Sequence, residues 1–351
     1  MFRALAVTLL FLLLFGPVAA QAPEAALNLQ HDSGVVMADW NRAETEILTA
    51  TERGLAKVWS AETGESLLTI DHGGSPLTHA LWLDDGAAIL SSDESGLILL
   101  SGREDGEILQ RWQLDGMPVA LALNTAGTGA LAFTDVAGGA ILSLADGGRI
   151  AEFDATSEIS GAAFSADETR VRAWSEDGTV YSWHLTSGEA FEARPPHRGM
   201  LLGLLWNAQD TRVLAWFTDG LVNVYESDGV SIGRGRISGL RHNSFVQRAI
   251  WSADESQVMS WAGDDTVHIW SADSGRSQHV YRHEDWVIGA RWDPAEERVL
   301  SWSHIYVYLW DSEREFQRFR HRNLVRGAVW KGDATQILSW SWDGTARVWD
   351  V

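Results

Sequence analysis

Eight residues that each close a short β-like run recur at nearly constant spacing: Trp40, Trp82, Leu123, Phe164, Trp206, Trp251, Trp292 and Trp330, separated by 42, 41, 41, 42, 45, 41 and 38 residues. A period of this length marks one supersecondary unit repeated in tandem, each copy burying its apolar faces against its neighbours. Seven positions after each anchor a second apolar run opens, at Ile47, Ile89, Ala130, Val171, Val213, Val258, Val299 and Ile337. Between the two lies a turn such as Asn41-Arg-Ala-Glu or Ser252-Ala-Asp-Glu, built of residues whose side chains bond their own backbone and reverse the chain. A third run closes on Trp59, Trp183, Tyr225, Trp270, Trp310 and Trp349, with Ser101 and Leu144 expected at that place in two weaker units.

Each unit therefore holds three or four runs of four to six residues rich in Val, Ile, Leu, Trp and Thr, which predicts an antiparallel meander. No sustained 3.6-residue period occurs, so no helix is expected after residue 20. Runs such as Leu97-Ile-Leu-Leu and Val267-His-Ile-Trp are apolar on both faces. Sheets of that kind in a tandem array need a neighbour on each side, and a closed ring gives every copy two.

These units resemble the WD40 repeat family, in which a His precedes the first anchor, an Asp-Gly forms the turn before the third strand, and Trp-Asp ends that strand. The clearest copy is the last, with His321 and then Leu338-Ser-Trp-Ser-Trp-Asp-Gly-Thr-Ala-Arg-Val-Trp-Asp350, and the resemblance covers residues 31–351. It implies an all-β fold, a single eight-bladed β-propeller of four-stranded antiparallel blades, with seven blades as the alternative. The family's hydrogen-bonded set, carried over residue by residue, falls on His321, Ser341, Asp343 and Trp349. Unit four keeps Ser175, Asp177 and Trp183, with Asp154 near the His position, and unit six keeps His242, Asp264 and Trp270 with Ala262 for the Ser. Blades are thus expected to rely more on aromatic packing, above all on Trp174, Trp216, Trp261, Trp302 and Trp340, with Phe133 in unit three, each ten residues after its anchor.

Both ends of the chain bear on closure and location. The last unit stops at Val351 without a fourth strand, and residues 21–30, containing Ala25-Ala-Leu-Asn-Leu-Gln30, are expected to supply it. Residues 1–20 carry one basic residue, a twelve-residue apolar run and small residues before Ala20, the pattern of a cleaved secretory signal peptide. The resemblance is thus to an exported, bacterial-type member acting in the periplasm or outside the cell, expected to be monomeric and without stable membrane insertion after cleavage.

Composition narrows the chemistry. With no cysteine, there is no disulfide framework, thiol nucleophile or Cys-based metal site. A formal charge of −21 argues against nucleic acid, which is held by a basic surface. The charge is uneven: residues 21–200 carry 28 acids and 10 bases, whereas 201–351 carry 20 and 16. A local basic stretch, Arg314, Arg318, Arg320, Arg322 and Arg326 with His321, enters the last unit and suits an acidic partner or the chain's own acidic half. Gly229-Val-Ser231-Ile-Gly233 matches a nucleophile elbow by letter but lacks the following helix that exposes the serine, so Ser231 is read as a plain strand residue. His31, His72, His197, His242, His283 and His321 share one repeat position and are spread around the ring, so they are read as structural. No cofactor or metal is implied, and the chain is read as non-catalytic.

Sixteen of the nineteen tryptophans have repeat positions, leaving Trp112, Trp286 and Trp342. Trp286 and Trp342 lie in loops expected to open on one face, with Phe245, Met200 and Leu324 at the position of Trp286 in their own units. His304, in the turn of unit seven, joins them. Aromatics on rigid loops serve as interface anchors, which points to a scaffold that binds protein or peptide partners. The alternative is a propeller enzyme or cofactor protein, quinoprotein-like or hydrolytic, with a channel site.

Overall fold

The computed structural model describes residues 23–83, 86–136, 138–229, 232–311 and 315–351. The expected signal peptide, Ser231 and Arg314 lie outside the described residues. The described residues form eight four-stranded antiparallel sheets and no helix. In blade 1 the strands are Val35–Trp40, Glu46–Thr51, Leu55–Ser60 and Ser66–Asp71, paired in chain order. Blades 2 to 7 repeat the plan, and first strands of successive blades pack against one another, which places them innermost around a central channel. The architecture is an eight-bladed β-propeller.

Blade 8 is built from both termini. Its first three strands are Val325–Trp330, Gln336–Ser341 and Thr345–Asp350, and Leu27–Gln30 is the fourth. The register pairs Leu27 with Val348 and Leu29 with Ala346. Leu29 is fully buried beside Val348 and Trp40, so the closing strand is anchored by core packing as well as by its ladder.

All eight anchors end first strands. The residue seven positions later pairs directly with the large residue of the third strand, as in Ile47 with Trp59, Val171 with Trp183 and Ile337 with Trp349. In unit three the partner of Ala130 is Leu142, not the expected Leu144. Leu144 lies past the strand end at Ser143, buried, with its amide bonded to the Thr128 carbonyl.

The mid-strand tryptophans join one blade to the next. Trp340 packs with Val35 and Ala38 of blade 1 and donates its indole N–H to the Val36 carbonyl at 3.0 Å; Trp261 does the same to Ile288 of blade 7 at 3.2 Å. Four of these rings lie across their own first strands, and the residue underneath is Gly161, Gly203, Gly289 or Gly327 for Trp174, Trp216, Trp302 and Trp340, whereas Trp261 stands opposite Arg248. A Cβ on Gly327 would stand 2.0 Å from the Trp340 ring, closer than any packing allows. Units 1 and 2 reverse the arrangement, with Met37 opposite Ala50 and His79 opposite Ser92. Phe133 has the same place in its unit but lies over Gly139 of the third strand and stacks on Phe153. Trp112 is structural too, buried and bonded to the Gly147 carbonyl of blade 3.

The polar network differs from expectation. His321 Nε2 and the Trp349 indole both meet Ser339 Oγ at 2.8 Å, and His321 Nδ1 lies 3.3 Å from Asp343. Ser341 is not in the relay: its hydroxyl donates to the Asn323 carbonyl and accepts from the Asp343 amide. The two serines share a strand face, and only Ser339 lies deep enough to meet both rings. The same correction completes unit six, where Ser260, rather than the place of Ala262, links His242 and Trp270. The histidine reaches a hydroxyl in units one, two and seven as well, through Thr49, Ser91 and Ser301. Units three to five have Ala132, Ala173 and Ala215 at that position. There Ser175 bonds Asp177 within its own turn, and His197 turns outward to Asp219.

Candidate functional site

The loops before the first strands and the turns after the second strands meet at one end of every blade, because those strands are antiparallel. A repeated backbone bond fixes them side by side. The amide twelve residues after the anchor donates to the carbonyl six residues before it: Glu52 to Gly34, Glu94 to Pro76, Asp135 to Met117, Thr218 to Met200, Gly263 to Phe245 and Trp342 to Leu324, at 2.9 to 3.1 Å. Six blades thus hold these two positions together at the channel mouth; in blade 7, where Trp286 and His304 occupy them, the His304 carbonyl accepts from the Val325 amide instead.

Trp286, Trp342 and Met200 are 45%, 41% and 44% exposed, high for such large apolar side chains. Phe245 and Leu324 are half-buried, and His304 is exposed in a left-handed turn. Phe245 meets Trp286 edge-to-face at 6.0 Å. The Arg326 guanidinium lies 5.0 Å over Trp342. Trp342 also reaches across to blade 1, where a Cβ on Gly34 would stand 2.8 Å from its ring and 2.6 Å from the Glu52 carboxylate. Glycine at 34 is what lets indole and carboxylate approach one another.

Two sets of residues at this face were not anticipated. Met117 and Val136, 37% and 47% exposed in blade 3, extend the apolar arc beyond blades five to eight. The turn position of Trp342 is occupied by Glu52, Glu94, Asp135 and Glu176 in blades 1 to 4 and by Thr218, Gly263, His304 and Trp342 in blades 5 to 8. Four consecutive carboxylates thus face four non-acidic residues across the mouth. Carrying the register of Trp342 back through the other repeats would have revealed them. A depression of about 480 Å³ joins the halves, lined by Trp342, Arg326, Glu52, Glu94, Met117 and Pro118.

Other candidates do not converge. In the basic stretch, His321 is buried, Arg318 bonds Glu284 and stacks on Tyr306 and Tyr308, and Arg326 lies at the channel mouth. Among the described residues no group of three or more His, Asp or Glu side chains could hold a metal ion, and no helix is long and apolar enough to cross a membrane.

The chain matches no protein-family model and no curated protein by sequence. Its fold matches solved structures over nearly its whole length. The Saccharomyces cerevisiae protein Sqt1 superposes with a TM-score of 0.80 at 14% identity, covering 94% of this chain and 100% of that one. The C-terminal WD40 domain of Sif2 gives 0.79 at 14%, with 94% and 99% covered. The computationally designed Ika8 protein gives 0.78 at 19%, with 92% and 98% covered. The repeats, the relay and these superpositions together establish a WD40-type β-propeller fold, in a ring of eight blades.

Proposed function

We propose that this propeller is a non-catalytic scaffold whose loop face binds a protein or peptide carrying both basic and apolar side chains. The observation that carries the reading is the division of the channel mouth: carboxylates on blades 1 to 4, and Met200, Phe245, Trp286 and Trp342 on blades 5 to 8. Large aromatic side chains on a rigid frame supply binding energy at little cost in lost freedom, because the free loops are already ordered. A row of carboxylates steers a basic partner and sets its orientation. The depression beside Trp342, with Glu52 and Glu94 in its wall, suits a Lys or Arg side chain. WD40 domains commonly serve as interaction scaffolds, which accords with this reading.

The apolar run and small residues of positions 1–20 support export, so the partner is sought outside the cytoplasm. N-terminal sequencing of the protein recovered from cells tests that part, with a start at Gln21 expected. For the face itself, affinity capture from the cell envelope fraction compares wild type with Trp286→Ala/Trp342→Ala. Loss of specific partners by the variant is expected, and equal recovery of every partner removes the face.

A further inference from the structure

The channel wall below this face is divided in its own way. Toward blades 3 to 5 it is apolar, formed by residues such as Leu121, Ala163, Leu202 and Leu205, and it encloses a cavity of about 660 Å³ that spans from His79 in blade 2 to Arg248 in blade 6. That volume falls within the range of small-molecule sites. Ala166, Ala208 and Asp210 also line it. They belong to the turns after the first strands, so the cavity opens on the end opposite Trp286 and Trp342.

The other wall is cationic. Arg248 and Arg291, on the first strands of blades 6 and 7, both reach solvent, yet neither has a hydrogen bond or ion pair with a described residue. Each guanidinium is held below its usual range by burial within the ring, and Arg291 adds its repulsion at Arg248. Asp39 of blade 1 acts on Arg291. Arg291 and Asp39 directly precede the anchors Trp292 and Trp40, as Ala163 and Leu205 of the cavity wall precede Phe164 and Trp206, so the repeat register places both on the channel wall. Arg172, also on the cavity wall, is by contrast paired through both terminal nitrogens, to Asp210 and the Gly229 carbonyl, and stacked on Trp206, with only its Nε left without a bond. Against a formal charge of −21, two guanidiniums without a hydrogen bond or ion pair to a described residue, on the inner strands of neighbouring blades, make a local positive site, with Asp39 the carboxylate that acts on Arg291.

We propose that the channel centre binds a small organic anion with an apolar body, its carboxylate, sulfonate or phosphate held by Arg248 and Arg291 and its body laid against the wall of blades 3 to 5. Guanidinium forks suit such oxyanions geometrically. A bound anion also relieves the repulsion between the two arginines. The site is independent of the loop face, and neither reading stands or falls with the other.

The probes are 8-anilinonaphthalene-1-sulfonate and its neutral analogue N-phenyl-1-naphthylamine, titrated into the full chain by fluorescence. Wild type is expected to bind one sulfonate saturably. Arg248→Gln/Arg291→Gln is expected to weaken the sulfonate at least about tenfold, with the neutral analogue little changed and Arg248→Lys retaining much of the affinity. The same double variant is expected to melt no lower than wild type, since it removes like charges. If it folds poorly, the ratio of the two affinities in wild type reads the same claim. A sulfonate preference of about tenfold at low salt that shrinks at high salt supports it. Absence of a saturable site, equal affinities for the two probes, or sulfonate binding unchanged in a folded double variant overturns it.

Discussion

The tryptophan on a glycine shows how single residues hold adjacent blades at a set distance. Trp340 lies flat on Gly327 and reaches Val36 of the next blade, so any side chain at 327 pushes the ring out of the seam. Gly327→Ala is expected to lower stability by about 1–3 kcal/mol, and Trp340→Ala by about 3–5 kcal/mol, in urea denaturation. Combining Gly327→Met with Trp340→Ala recreates the Met37 and Ala50 pair of blade 1, so the double variant should lose less than the sum of the singles. The relay offers a second test at this scale. Ser339→Ala strands both His321 and Trp349 and should cost about 2 kcal/mol, whereas Ser341→Ala, near the turn, should cost under about 1 kcal/mol. The sequence pattern contains both serines on one strand face. Which of them meets the two rings is decided by reach across the sheet, and that is why Ser341 was expected and Ser339 is found.

Among the elements, the strand Leu27–Gln30 has the largest consequence for its size. Without it the third strand of blade 8 has a free edge and Leu29 leaves a gap beside Val348 and Trp40. Deleting residues 23–30 is expected to lower the melting temperature clearly, and Leu29→Ala alone to cost about 2–5 kcal/mol; unchanged melting of the deletion would show that the ring does not depend on this seam. The element was legible because the repeat ends one strand short and the only spare β-like run lies at the other end. Leu144 was misplaced by the same reasoning applied to a weak unit. Where the third strand ends without an aromatic residue, two buried leucines, Leu142 and Leu144, compete for the position, and only the pairing with Ala130 separates them.

For the whole molecule, ring closure holds several histidines, among them His31, His79 and His283, in the neutral form. Burial, with the Lys57 charge, lowers His31 to about 4; burial alone lowers His79 to about 4, and burial with Arg318 lowers His283 to about 3. Each is below the ordinary value of 6.5, so the unfolded chain takes up protons first as pH falls. Their stabilising contribution is full above pH 6.5 and is lost as pH falls from there toward 4, at about 1.4 kcal/mol per pH unit for each group that stays neutral in the fold. Melting temperature is therefore expected to fall steadily between pH 6.5 and 4; a flat profile over that range would show that these rings protonate freely in the native state. The division of the loop face belongs to this scale too, and it was only half legible. Trp286 and Trp342 stood out because they have no place in the repeat. The carboxylates opposite them did not, because Glu and Asp in turns resemble any solvated surface until the ring brings blades 1 to 4 together on one side of the channel mouth.

The most direct test of that face is a hydrogen-exchange footprint of the propeller bound to a captured partner. Protection is expected in the loops around residues 243–245, 284–288 and 322–326 and in the turns holding Glu52, Glu94, Asp135 and Glu176, together and on this end alone. Protection confined to the outer strands or to the opposite turns would contradict the assignment.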